Sequence, residues 1–186
     1  MIQNRLRLRH HLTTFQIMII GFAAVILLGA FVLMLPVSTV SGAWTEFREA
    51  LFTSTSAVCV TGLVIQDTGS YWSGFGQFVI LLLIQIGGLG VITAASSFLL
   101  LAGKNVSLKE RSAMEAAISA PSVGGIVRLT KFVIKGTIII EGLGAALLLP
   151  VFWKDYGAGG IWMSIFHSIS AFCNAGFDIL GSPENM

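Results

Sequence analysis

Two stretches of this chain, 114 residues apart, repeat one pattern without a slip. The first runs Leu51-Phe-Thr-Ser-Thr-Ser-Ala-Val-Cys-Val-Thr-Gly-Leu63, and the second Ile165-Phe-His-Ser-Ile-Ser-Ala-Phe-Cys-Asn-Ala-Gly-Phe177. Six of the thirteen positions are identical, and the same offset pairs Leu35-Pro36-Val37 with Leu149-Pro150-Val151 at the end of the apolar run before each copy. A constant spacing from the proline to the glycine implies that a whole helix–loop unit was duplicated without insertions. Any fold for this chain must place two copies of that unit.

The medium is set by composition. Hydrophobic residues make up 55% of the chain, charged residues 11%, and the mean hydropathy is +0.86. Soluble domains carry about 25% charged residues. No charge occurs over the 34 residues from Leu12 to Thr45 or the 36 from Thr68 to Gly103, and Gly136–Trp153 is broken only by Glu141. Each run is long enough for a bilayer crossing, which takes about 20 apolar residues. The apolar segment 15–35 is too long for a signal peptide, and Pro36-Val37-Ser38 is a poor cleavage site, so a retained helix is expected.

Charge distribution sets the expected topology. Nine of the eleven basic residues lie at Arg5, Arg7 and Arg9 or between Lys104 and Lys135. The positive-inside rule puts the N-terminus and the loop around 104–131 in the cytoplasm. Glu46, Glu49, Asp67, Asp155, Asp178 and Glu184 then fall outside. The basic clusters follow from topology, so no nucleic-acid partner is expected; lipid is the medium.

Along the chain, residues 1–11 read as a basic cytoplasmic lead and 12–36 as an outer helix stopped by Pro36. Trp44, Tyr71 and Trp72 are expected at the interface. A helix from Thr45, its N-cap, to about Ala57 is only about 20 Å long, too short to cross, so segment 45–70 must enter and leave on one side. An inner helix follows to about Leu101, completing a first unit over 12–103. The linker 104–125 carries a capping box, Ser107-Leu108-Lys109-Glu110, opening a helix to about Ser119. A partial second unit occupies 126–186: an outer helix to Leu149, a short helix over 160–171 and a second loop. The fold class expected is an all-α integral membrane protein of outer helix–re-entrant pore loop–inner helix repeats, potassium-channel-like, one complete and most of a second.

Bare backbone at membrane depth is tolerated only where it is buried in protein or lines a water-filled cavity. Carbonyls in such a loop can replace a cation's hydration shell. Gly62 and Gly176 supply positive φ, and the short helices aim their partly negative C-terminal ends inward. These features point to a cation path. No His, Cys, Asp or Glu cluster has metal-ligand spacing, and no nucleophile–base pair sits at membrane depth, so an enzyme is disfavoured.

The runs Ser56-Ala-Val-Cys-Val-Thr-Gly-Leu63, Phe172-Cys-Asn-Ala-Gly-Phe177 and Gln85-Ile-Gly-Gly-Leu-Gly90 closely resemble the Trk/Ktr/HKT potassium-uptake superfamily, and its Ktr membrane subunits most. The resemblance covers essentially the whole chain. It implies a multi-pass bacterial plasma-membrane subunit of four repeats around one pore, with potassium as the substrate ion, sodium as a candidate coupling ion and no covalent cofactor. It assigns filter backbone to Val60, Thr61, Gly62, Asn174, Ala175 and Gly176. It also implies a cytoplasmic nucleotide-binding regulatory ring, for which Lys104, Lys109 and Arg111 offer a contact, and a homodimer of the full-length subunit. A filter takes a ring of four loops, so the expectation is an N-terminal fragment, inactive alone. The alternative is a non-transporting scaffold that keeps the repeat for packing.

Six side chains carry two readings each. Asp67 and Asp178 follow the loops, either as cation-attracting groups at the mouth or as solvated loop acids. Glu141 is an intramembrane acid, functional or hydrogen-bonded between packed helices. His167 is a pH sensor or a packing histidine. The equivalent Cys59 and Cys173 are read as two packed thiols, with a disulfide the alternative.

Overall fold

The computed structural model describes residues 14–90 and 126–181. All regular structure there is helical: α1 (Thr14–Leu33), a 3-10 turn (Pro36–Ser38), α2 (Phe47–Val58), α3 (Gly74–Leu89), α4 (Ile126–Tyr156) and α5 (Gly159–Phe172). The one β-type contact among them is a single bridge between Thr39 and Trp72. The linker helix with its capping box, the end of the inner helix and the N-terminal lead lie outside the described residues.

One described helix segment, Thr130–Tyr156, is long and apolar enough to cross a membrane, while Met18–Leu33 and Gly74–Leu89 are shorter apolar helices. On α4, Phe132, Ile139, Leu143, Leu147 and Val151 are exposed. In water such a face would be costly; in hydrocarbon it is at home. The short helices α2 and α5 lie instead in the interior, where Ala57, Val58, Phe166 and Ala175 join Ile80 and Ile84 of α3 in one core.

Each outer helix holds its short helix by the same lock. The Ser54 hydroxyl donates to the Ile26 carbonyl at 2.7 Å, and the Ser168 hydroxyl to the Glu141 carbonyl at 2.7 Å. Three residues on, Gly29 and Gly144 leave the space into which those hydroxyls fit. Small residues at a helix contact allow this close approach without a strong apolar driving force. The lock also corrects a pairing: by the 114-residue offset Glu141 answers to Leu27, but in the structure it answers to Ile26. The outer helix has slipped by one residue against its short helix.

Three details depart from the sequence reading. Pro150 does not end its helix, which continues to Tyr156. After Pro36 the chain turns because the Ser38 hydroxyl donates to the Val32 carbonyl at 2.7 Å and the Ser38 carbonyl accepts from the Ser73 amide at 2.9 Å. After Pro150 the residues continue the helix, with Phe152 stacked on His167 at 5.0 Å. Thr45 does not cap α2: Glu46 holds the cap position, and the Thr45 hydroxyl pairs with the Tyr71 hydroxyl at 3.2 Å. Trp72 is fully buried rather than interfacial, edge-on to Tyr71, whereas Trp44 is exposed.

The glycines of α3 fix its position. A side chain at Gly87 would strike the Val58 carbonyl at the end of α2, and one at Gly88 would meet the Cys173 sulfur at 2.5 Å just after α5. One stretch of α3 thus braces the ends of both short helices. Gly87→Ala should therefore lower the thermal midpoint of the detergent-solubilised protein. Gly136→Ala, where nothing lies within 4 Å, should leave it unchanged or raise it, gaining up to about 1 kcal/mol of helix propensity.

Candidate functional site: two paired loops

Both short helices end in the same way. At α2 the Val60 amide donates to the Ala57 carbonyl at 3.3 Å and the Thr61 amide to the Ser56 carbonyl at 2.9 Å. At α5 the Asn174 amide donates to the Ala171 carbonyl at 3.0 Å and the Ala175 amide to the Ser170 carbonyl at 2.7 Å. This is the Schellman closure, which satisfies the last carbonyls of a helix and requires a left-handed residue after the cap. Glycine is the usual occupant. Here it is Val60 at φ 56° and Asn174 at φ 55°.

Two residues on, the backbone is left-handed again, at Gly62 with φ 74° and Gly176 with φ 71°. Positive φ was legible at the glycines but not at Val60 or Asn174. For asparagine the left-handed region is accessible; for a β-branched valine it is an outlier. Such strain costs of order 1–3 kcal/mol and persists only where surrounding structure over-determines it. Here the two Schellman bonds do so. The signal in the sequence is the position itself, the second residue after each short helix.

The two loops meet at their glycines. A Cβ on Gly62 would lie 2.7 Å from the Ala175 carbonyl oxygen and 3.1 Å from the Gly176 Cα, and a Cβ on Gly176 would lie 3.2 Å from the Gly62 Cα. The structure therefore brings the six residues assigned to the loops into one place. Side-chain bonds back each loop: the Thr61 hydroxyl reaches the Ser56 hydroxyl at 2.9 Å, and the Ser170 hydroxyl donates to the Phe177 carbonyl at 2.6 Å. In the second loop Asn174 and Gly176 are exposed while Ala175 and Phe177 are buried, giving it a free edge and a packed edge; in the first, Thr61 is exposed and Val60 and Gly62 are half-buried. Neither α2 nor α5 carries a basic residue in its last turn, which leaves their partly negative ends unneutralised.

The remaining candidates fall into place around this pair. Asp67 accepts from the Ser70 amide at 2.7 Å and from the Ser70 hydroxyl, and Asp178 accepts from the Leu180 amide at 3.1 Å. Both acids stabilise turns just beyond the loops. Glu141 receives the Gln85 amide at 2.8 Å, a bond from α3 to α4 that joins the first copy to the second. His167 has its Nδ1 2.8 Å from the Met163 carbonyl oxygen and its ring between Phe152 and Phe166, in keeping with a packing role. Cys59 and Cys173 are free thiols, the first exposed and the second half-buried. Among the described residues no group of His, Cys, Asp or Glu could hold a metal ion. Lys104, Lys109 and Arg111 lie outside the described residues.

Residues 4–183 match the TrkH family of cation transport proteins. The chain belongs to that family. It is 43% identical over 176 residues to the potassium/sodium uptake protein NtpJ of Enterococcus hirae, covering 94% of this chain and 39% of that protein. It is 43% identical over 172 residues to the Ktr system potassium uptake protein B of Bacillus subtilis, covering 92% and 38%. The like-named protein of Vibrio alginolyticus is 36% identical over 163 residues, covering 87% and 35%. This TrkH-family chain thus spans under two-fifths of the length of the curated relatives it matches.

Swapping the loop residues tests the strain. Asn174→Val should destabilise the protein by about 1–2 kcal/mol, the scale of a bulky residue forced left-handed, whereas Val60→Asn should be neutral or stabilising. Thermal or denaturant midpoints in detergent supply the comparison. Equal effects of the two changes would remove the left-handed assignment.

Proposed function

We propose that this chain supplies two of the four helix–loop units of a potassium uptake subunit, residues 12–103 and 126–186. Its paired loops coordinate the passing ion through backbone carbonyls of Val60, Thr61, Gly62, Asn174, Ala175 and Gly176. The observation that carries this reading is the recurrence of one left-handed pair, at 60 and 62 and again at 174 and 176, with the two glycines in contact. The strained valine closes its helix in either reading, but a scaffold that kept the repeat for packing alone has no use for a second left-handed residue two positions on in each loop. Strain of this kind is retained where geometry serves a ligand.

Selection acts through backbone carbonyls and the field of two helix ends, so the site handles a dehydrated monovalent cation without a carboxylate ligand. Asp67 and Asp178 stand just past the loops, where negative potential raises the local cation concentration. Potassium is the transported ion in this reading and sodium a candidate coupling ion. The subunit is a transporter, not an enzyme, and crosses the plasma membrane repeatedly with its N-terminus in the cytoplasm. A cytoplasmic nucleotide-binding ring and a second copy of the full-length subunit complete the assembly. The linker 104–125, with Lys104, Lys109 and Arg111, is the docking surface for that ring.

Two measurements test this function. In the complete subunit, Gly62→Ser or Gly176→Ser should lower potassium-over-sodium discrimination in rubidium uptake more than it lowers abundance, because a Cβ there collides with the neighbouring loop. Unchanged discrimination at normal abundance in both variants would sink the filter assignment. For the linker, Lys109→Glu combined with Arg111→Glu should weaken ring binding by at least about tenfold in calorimetry, since reversing two contact charges costs several kcal/mol. Selectivity should stay intact. Wild-type affinity in the double variant would reduce the linker to a connector.

A further inference from the structure

One side chain on α3 ties the first loop's return limb to the second short helix. The amide nitrogen of Gln77 lies 3.4 Å from the Thr68 carbonyl oxygen, 3.3 Å from that of Gly69 and 3.2 Å from that of Trp72. Its carbonyl oxygen accepts from the Trp162 indole N–H, on α5, at 2.8 Å. The orientation of the amide is forced, because three acceptors surround one end and a donor-only group meets the other. The segment it grips is the return limb of the first loop. Gly69 in that limb is itself in tight contact with the second loop's limb: a Cβ there would lie 2.7 Å from the Gly181 nitrogen and 2.8 Å from the Ile179 carbonyl oxygen. Both limbs follow directly on the glycines that meet at Gly62 and Gly176.

From this juxtaposition we infer that Gln77, through Trp162, is a specificity-determining positioning residue that sets the spacing of the two loops. The inference rests on the filter reading given under the proposed function. The two loops are separate strands of backbone that meet without a side chain between their glycines, and a side-chain tie across them adds direction to that bare contact. Gln77 is the side chain that bonds both the limb of the first loop and the short helix that carries the second. Neither Gln77 nor Trp162 reaches the ion path; each acts through the loops it holds.

The test compares rubidium and sodium handling by the complete subunit in four variants: Gln77→Leu, Trp162→Phe and, as references, Gly62→Ser and Gly176→Ser. Trp162→Phe keeps an aromatic ring beside Phe166 and removes the indole N–H together with the bulk of the second ring, so its thermal midpoint is read alongside its discrimination. Both Gln77→Leu and Trp162→Phe should lower discrimination by about two- to tenfold, the range commanded by one net hydrogen bond, while abundance and thermal midpoint change less. A merely structural role would move abundance and leave the ratio alone. If Gln77→Leu fails to reach the membrane, Trp162→Phe decides. Wild-type discrimination in Trp162→Phe, with a loss in Gly62→Ser, would overturn the positioning role and leave the filter standing. Wild-type discrimination in Gly62→Ser and in Gly176→Ser alike, at normal abundance, would overturn both.

Discussion

Everything in this structure depends on ending a helix in the interior of a molecule that has little water to offer. The last four carbonyls of any helix lack partners within it, and at membrane depth each unsatisfied one is costly. α2 and α5 solve this with one left-handed residue and two backed-up amide bonds each. The turn releases the following backbone from the helix, braced by α3 at each helix end and by the neighbouring loop. Helix termination and site construction are therefore a single act. Had α2 and α5 run on, there would be no loops; had they ended without the closure, the carbonyls would be spent on repairing it.

Polar side chains supply the rest of the framework, and they work in pairs across the duplication. Ser54 and Ser168 each bind an outer helix through a backbone carbonyl. Gln85 and Gln77, two turns apart on α3, reach Glu141 and Trp162 in the second copy. Between apolar helices in a lipid-like medium, hydrophobic burial discriminates poorly, and such bonds specify which neighbour a helix takes. The glycines at 29, 87, 88 and 144 are the complement, removing the bulk that would keep those groups apart.

Much of this was legible in the residues. The repeat, the short helices and the left-handed glycines follow from spacing and composition, because a duplicated unit reports its own boundaries; the meeting of the two loops at Gly62 and Gly176 does not. The misses have a common cause. Pro150 and Thr45 follow local rules that tertiary contacts override: Phe152 rests on His167 where Ser38 had tied a turn, and Tyr71 captures the Thr45 hydroxyl. The left-handed Val60 was hidden because propensity argues against it; only the Schellman bonds, which depend on where α2 stops, impose it. Gln77 was invisible for a different reason, since three of its four partners are carbonyls, which every residue has.

The one-residue slip between the outer helices bears on descent. Ser54 and Ser168 occupy equivalent places, yet the carbonyls they hold, at Ile26 and Glu141, do not. The loops and short helices share one register across the two copies, while the carbonyls that lock them differ by one residue. A carboxylate could then settle at 141 and engage Gln85 without any counterpart appearing in the first copy. The two halves have ceased to be interchangeable parts. What began as a symmetric doubling has become a lineage with two specialised members, alike where they face each other and divergent where each faces its own surroundings.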